Sequence, residues 1–471
     1  MPAVDDPAAT RRSSSLAISS GLLGLGTIVT RLTTLVIMAL LSRGAGAEAV
    51  GFYGLATLAA SFTAAALSVG FPTYLTRNVP AGLISAGEVA RIHCVRLGVL
   101  MLAAVVAYPV AGLLVPAAVL LGFVLFFLSS LLEQWNETAW VLVRGTGDAW
   151  REPLTNAVTS VLLIGACAAD ALFSGALSYD RAALYLVAAS VFRSVMAFGM
   201  AGVGRELRGR VRVDLPARTR EAVPYFAADL LGLMYFRGDT LVLALFVAAS
   251  QVGEYVSATA LIGPAVQVAA AMGTGALAYA APRIVGGRTG EPLTIFRFFM
   301  VTGFTVTGLM LVALPVATVV LFGDAGDTIL HLSMILALFL AMRFANFGLS
   351  ALLLAGGRAS SRLIVLVLSI AGNLGLNLAL DGRFGTFGAA WSTVLTELIV
   401  AGSLLYFLRD RTLVRAVAGS TAFVAVTAAV LVLTSLTISL TLAAVATGLV
   451  FLAGAGVLFL ARQKSSTVEG S

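Results

Sequence analysis

A chain of 471 residues that is 59% hydrophobic and 11% charged, with a mean hydropathy of +0.99, is excluded from the ordinary soluble classes, in which about a quarter of residues are charged. The net charge of +7 comes from 30 Lys and Arg against 23 Asp and Glu, and its placement in short connections between apolar runs reads as membrane topology, not as a nucleic-acid surface. Cys94 and Cys167 form no spacing motif, so neither a disulfide framework nor a metal site is expected.

At about 20 apolar residues per bilayer crossing, the sequence predicts an all-α integral membrane protein with about fourteen transmembrane helices. They begin near Leu16, Tyr53, His93, Ala117, Pro153, Arg181, Val223, Tyr255, Leu293, Thr328, Leu363, Phe384, Leu413 and Ile438. The connections between them are too short to fold as a soluble catalytic domain, so the chain is not read as an enzyme. Basic residues collect in alternate connections, among them Arg91, Arg144, Arg151, Arg205, Arg358 and Arg409, against Arg43, Arg181 and Arg383 in the others. The positive-inside rule then predicts both termini on the cytoplasmic side of the cell inner membrane, as an even number of spans requires.

A cytoplasmic tail, 1–15, leads into the first helix, whose apolar run is interrupted by Arg31. A charge in hydrocarbon costs at least about 2.5 kcal/mol, so an intramembrane arginine is a candidate functional residue. Arg77 closes the second helix behind Pro72, where a long side chain either snorkels to the interface or faces a substrate. The fourth helix carries Glu133 and Glu137, four apart and so on one face. Two carboxylates in a poorly hydrated place resist joint ionisation and make a candidate proton or sodium site, unless they are hydrated or pair with Arg144. Arg193 lies near the middle of the sixth helix, which ends a first lobe, 16–204. A basic linker, 205–222, follows; its arginines either attract anionic head groups or simply obey the topology.

The second lobe, 223–410, opens with a helix holding Asp229, Arg237 and Asp239, a set that is costly unless the helix lines an aqueous cavity. Arg237 and Asp239 are two apart and do not face each other, so each is expected to serve a different partner. Arg343 in the tenth helix and Glu397 in the twelfth add one charge each. Helices thirteen and fourteen, 411–461, look like a lipid-facing addition before the tail 462–471.

Arg237 to Tyr255 has a copy early in the chain. Arg31, Thr34, Leu35 and Val36 correspond to Arg237, Thr240, Leu241 and Val242, and Gly51 and Tyr53 to Gly253 and Tyr255. Repeats of this kind build many transporters, and six helices per half keep the two halves in the same orientation. The expected architecture is therefore two pseudo-twofold-related six-helix lobes around a central cleft, plus two C-terminal helices.

Taken in order, Arg31, Gly51-x-Tyr53, Arg77, Arg237-x-Asp239 followed by VGEY, GGR after the tenth helix and GTFGAAWSTVLTE in the twelfth resemble the polysaccharide (O-antigen type) flippases. These belong to the multidrug/oligosaccharidyl-lipid/polysaccharide exporter superfamily, and the resemblance covers about the first 410 residues. In helix number the chain is similar to the lipid II flippases of peptidoglycan synthesis. The resemblance implies alternating-access movement of an undecaprenyl-pyrophosphate-linked oligosaccharide from the cytoplasmic to the outer leaflet, in polysaccharide or lipopolysaccharide biosynthesis. It implies no cofactor beyond a coupling proton or sodium ion. The partners it implies are the lipid-linked oligosaccharide, membrane lipids, and a glycan polymerase or glycosyltransferases of the same pathway. On this reading Arg31, Arg77, Arg193, Arg237 and Arg343 face the anionic head group, and Glu133, Glu137, Asp229, Asp239 and Glu397 are candidates for ion coupling. The alternatives are a lipid II flippase or an ion-coupled multidrug-type antiporter. The antiporter would favour an acidic and aromatic cleft, whereas arginines here at least match the acids.

Overall fold

The computed structural model describes residues 7–468 apart from 80–81, 146–147, 149, 209–212, 286–290 and 324–325. The first six residues of the predicted tail, Arg210 and Arg212 of the linker, Arg288 and the last three residues of the chain lie outside the described residues. Among those described, the regular elements are α-helices: α1 (Pro7–Ser68), α2 (Phe71–Asn78), α3 (Ala86–Leu114), α4 (Ala117–Gly145), α5 (Arg151–Ser174), α6 (Tyr179–Met200), α7 (Val203–Arg208), α8 (Leu215–Leu243), α9 (Ala249–Val285), α10 (Glu291–Phe322), α11 (Gly326–Ala355), α12 (Ala359–Phe384), α13 (Thr386–Leu408), α14 (Arg411–Thr437) and α15 (Leu440–Val468).

Twelve of these helices are long and apolar enough to cross a membrane. The difference from fourteen has two local causes. The first two predicted spans are both present as the two helices of α1, which meet at a non-helical Gly46 whose φ of 86° a side chain would resist, and α1 counts once. The seventh predicted span, in α8, carries Asp229, Arg237 and Asp239 within its apolar length. Helix starts follow local chemistry. Ser85 caps α3 through a reciprocal pair with Glu88, Glu88 N donating to Ser85 Oγ at 3.3 Å and Ser85 N to Glu88 Oε2 at 3.0 Å. Asp410 caps α14, accepting from Thr412 N at 2.8 Å and Leu413 N at 3.3 Å.

Contacts divide the chain into two compact units, Met1–Leu233 and Met234–Ser471. In the first, α4 is central and packs against α1, α3 and α6. In the second, α11 is central and packs against α9, α10 and α13, with 83% of its most apolar stretch buried. As the fourth and tenth predicted spans, α4 and α11 are equivalent members of the repeat.

The division falls inside α8, beyond the basic linker at 205–222, because the first half of α8 is tied to its own unit. Arg218 Nη2 lies 2.9 Å from Glu88 Oε1 on α3. Tyr74 of α2 donates to Glu221, Arg77 Nη1 donates to Tyr225 Oη at 2.5 Å, and Thr73 Oγ1 donates to Asp229 Oδ1 at 2.5 Å. Gly70 makes the contact close: a Cβ there would lie 2.4 Å from the Ala222 carbonyl oxygen.

The last two helices pack on the second unit by part of their surface and leave many apolar side chains exposed, among them Val426, Leu433, Leu442 and Val457. α15 packs along α10, where a Cβ on Gly448 would sit 2.7 Å from the Gly308 carbonyl oxygen. Phe304, Phe423 and Phe451 form an aromatic cluster with ring centroids 4.9 to 5.5 Å apart. Apolar composition does not distinguish contact with lipid from contact with protein; the small residues that allow close backbones do.

Candidate functional site

In the first unit, Arg31 is exposed on α1 and Arg77 is exposed on α2, where it bonds the Tyr225 hydroxyl. Arg193 on α6 is nearly covered, with 12% of its side chain exposed, and its Nη1 lies 3.0 Å from Glu133 Oε2 on α4. The Ser190 hydroxyl donates to the other Glu133 oxygen at 2.7 Å. Glu137, one turn further along α4, is 3.3 Å from Arg144 Nη2. Arg144 is also held by Glu152, through Nε and Nη2 at 2.7 Å each. The two acids that share a helix face are thus assigned to different arginines. Asp229 accepts from Thr73.

Arg96 on α3 is a buried charge of this unit that the sequence reading passed over; it is 5% exposed. It donates to the Thr138 hydroxyl, to Ser68 Oγ at 2.8 Å and to the Gln134 carbonyl at 3.5 Å. One turn before it, the His93 ring stacks on Trp135 with centroids 4.0 Å apart, and Trp135 Nε1 donates to the His93 carbonyl at 2.7 Å. The signal was an arginine three residues past the predicted start of a span, where a charge reads as a boundary.

In the second unit, Arg343 of α11 and Glu397 of α13 meet at 3.3 Å with side chains 10% and 2% exposed. Asn346 Nδ2 donates to Glu397 Oε2 at 2.7 Å and to its carbonyl at 2.9 Å. The Arg343 guanidinium donates to the Tyr235 hydroxyl and stands 4.9 Å from the ring centres of Tyr235 and Phe339. Arg237, half-buried on α8, has no ion pair among the described residues. Asp239 does serve a different partner, as its spacing predicted: it accepts from Thr240 N at 2.7 Å and from the Tyr255 hydroxyl at 2.6 Å. Tyr255 is fully buried and its hydroxyl lies 3.3 Å from Thr393 Oγ1.

Asp381, near the end of α12, was also missed. It is 2% exposed, neither carboxylate oxygen has a hydrogen-bond partner among the described residues, and Asp239 is within electrostatic reach. In the sequence it stands two residues before Arg383 in what reads as a helix end. Asp239, Tyr255 and Thr393 thus form a row of polar contacts, with Asp381 within electrostatic reach of Asp239 and Tyr255.

At the ends of the spans, hydrogen bonding shifts the Glu221 carboxyl. The hydrogen bond from Tyr74, and after it that from Arg218, hold the Glu221 carboxyl below its usual 4.5. The bonds to Glu88 lead those that push the Arg218 guanidinium further up.

No family model matches the sequence, and no curated protein sequence matches it. Solved structures do share its fold. The lipid II flippase MurJ in an inward closed conformation superposes with a TM-score of 0.69 over 95% of this chain and 99% of that one, at 10% identity. An inward-facing multidrug resistance MATE family transporter of the MOP superfamily gives 0.62 over 84% and 99%, at 16% identity. A MOP superfamily transporter from Pyrococcus furiosus, described by a reverse polarity of its binding pocket, gives 0.58 over 84% and 95%, at 17% identity. The chain is an all-helical membrane protein with the fold of MOP superfamily transporters.

Proposed function

We propose that the chain is a flippase that carries a polyprenyl-diphosphate-linked oligosaccharide across the cytoplasmic membrane by alternating access, in polysaccharide synthesis. The observation that carries this is Arg237: a guanidinium half-buried on α8, in the seventh predicted span, with no ion pair among the described residues, while Asp239 and Glu397 are engaged elsewhere. Such a charge is costly in hydrocarbon and is stabilised by an anionic cargo. A diphosphate suits it, because the planar fork grips two phosphate oxygens at once. Arg31, the repeat partner of Arg237, and Arg77 extend the same chemistry in the first unit. Arg343 contributes less directly, since Glu397 already neutralises it. Asp239 and Asp381 are the acids best placed to carry a coupling proton or sodium ion.

A second reading, lipid II as cargo, draws support from the fold shared with the lipid II flippase over nearly the whole of both chains. The two readings separate in vesicles. Purified protein should move a fluorescent polyprenyl-diphosphate oligosaccharide between leaflets and leave a cationic dye unmoved; preference for lipid II over other glycans would select the second reading, and export of the dye alone would overturn both. Arg237→Ala should bind the lipid-linked cargo roughly ten- to a hundred-fold more weakly, the scale of a lost hydrogen bond to a charged group. Arg237→Lys should recover only part of that. Normal transport by a normally expressed alanine variant would remove Arg237 from the site.

A further inference from the structure

The two units each bridge their central helix to the last helix of the six-helix repeat with an ion pair, and the pairs have opposite polarity. In the first, the acid is on the central helix: Glu133 of α4 meets Arg193 of α6 at 3.0 Å. In the second, the base is on the central helix: Arg343 of α11 meets Glu397 of α13 at 3.3 Å. The pairs also differ in closure. Glu397 is sealed, with one carboxylate oxygen on Arg343, the other on Asn346, and two aromatic rings against the guanidinium. Glu133 has 36% of its side chain exposed, and beyond Arg193 it is bonded only to the Ser190 hydroxyl among the described residues.

Both α4 and α6 are among the helices able to span the membrane. A carboxylate exposed to that degree well inside a span does not face hydrocarbon, where a charge is too costly; it faces water. A pair whose carboxylate is open to water exchanges its acid more readily than one whose carboxylate is sealed. From this contrast, and resting on the reading of the cargo as a diphosphate, we propose that Glu133 is a built-in stand-in for the cargo anion. It occupies Arg193 in the empty carrier, is displaced by the diphosphate on loading, and returns to Arg193 on release. The exchange keeps Arg193 neutralised in both states. Arg343 stays locked throughout, which confines anion exchange to the first-unit pair.

Inorganic pyrophosphate is the probe, titrated against the full chain in nanodiscs of neutral phosphatidylcholine. Glu133→Gln, which removes the competitor but keeps the shape, should bind pyrophosphate about tenfold tighter than the wild type. Arg193→Gln, alone or combined with Glu133→Gln, should abolish that gain. Wild-type binding that Glu133→Gln leaves unchanged overturns the stand-in while leaving the anionic cargo intact. Binding by neither protein overturns the anionic cargo and the stand-in with it. A readout that needs no variant is carbodiimide-driven amide labelling of Glu133, measured by mass spectrometry. Pyrophosphate should raise it in the wild type, and unchanged labelling at saturating pyrophosphate also overturns the exchange.

Discussion

Removing Arg343 alone would leave the Glu397 carboxyl 2% exposed and held only by Asn346 among the described residues. Breaking a buried pair on one side costs about 3–5 kcal/mol, while replacing both partners by apolar groups is often close to neutral. Arg343→Met should therefore lower the thermal midpoint in detergent far more than Arg343→Met combined with Glu397→Leu; equal losses would mean that the pair is not the source of the stability. This residue-level outcome was half legible in the sequence. Glu133 and Glu137 do lie on one side of α4, as a four-residue spacing dictates, but their partners differ: α6 brings Arg193 to Glu133, and the C-terminal end of α4 itself brings Arg144 to Glu137. Arg96 and Asp381 were illegible for a common reason. Each stands close to a predicted helix end, where a charge is ordinary, and only packing shows that the helices extend past them and bury them.

Among the elements, α2 and the first half of α8 show how a polar segment is held beside an apolar bundle. Their contact combines the Gly70 approach with hydrogen bonds from Tyr74 and Arg218 to Glu221. Because these bonds hold the Glu221 carboxyl below its unfolded value, the carboxylate stabilises the folded state above the ordinary carboxylate range, and the contribution is lost as pH falls through the lowered value. Glu221→Gln should thus melt below the wild type at neutral pH, with the gap closing as the pH falls below about 4. A gap that stays constant with pH would assign the contact to packing alone. Helix existence was legible here from apolar length. So was the break inside α1: the first two predicted spans are the two helices that meet at Gly46, between the polar Arg43 and Glu48.

At the scale of the whole molecule, the repeat was the most legible feature, because Arg31 to Tyr53 and Arg237 to Tyr255 preserve their charge and their aromatic residue in order. Each six-helix half accordingly builds one unit around its fourth helix, α4 or α11. The limit between units was less legible: composition marks the basic linker, whereas the contacts of Glu88, Tyr74 and Arg77 carry the first half of α8 into the first unit. Orientation follows from charge. Arg358, Arg409, Arg411 and Arg415 cluster at one end of α11 to α14, while the turn before Asp327, at the other end of α11, carries no arginine or lysine. Arginine and lysine near the ends of spans are retained on the cytoplasmic side, so the Asp327 end should be outside. In intact cells, a membrane-impermeant thiol reagent should label a cysteine placed at Asp327 and not one placed at Arg358, in a background lacking Cys94 and Cys167. The opposite pattern would invert the chain, and with it the leaflet from which a cargo anion first reaches the arginines.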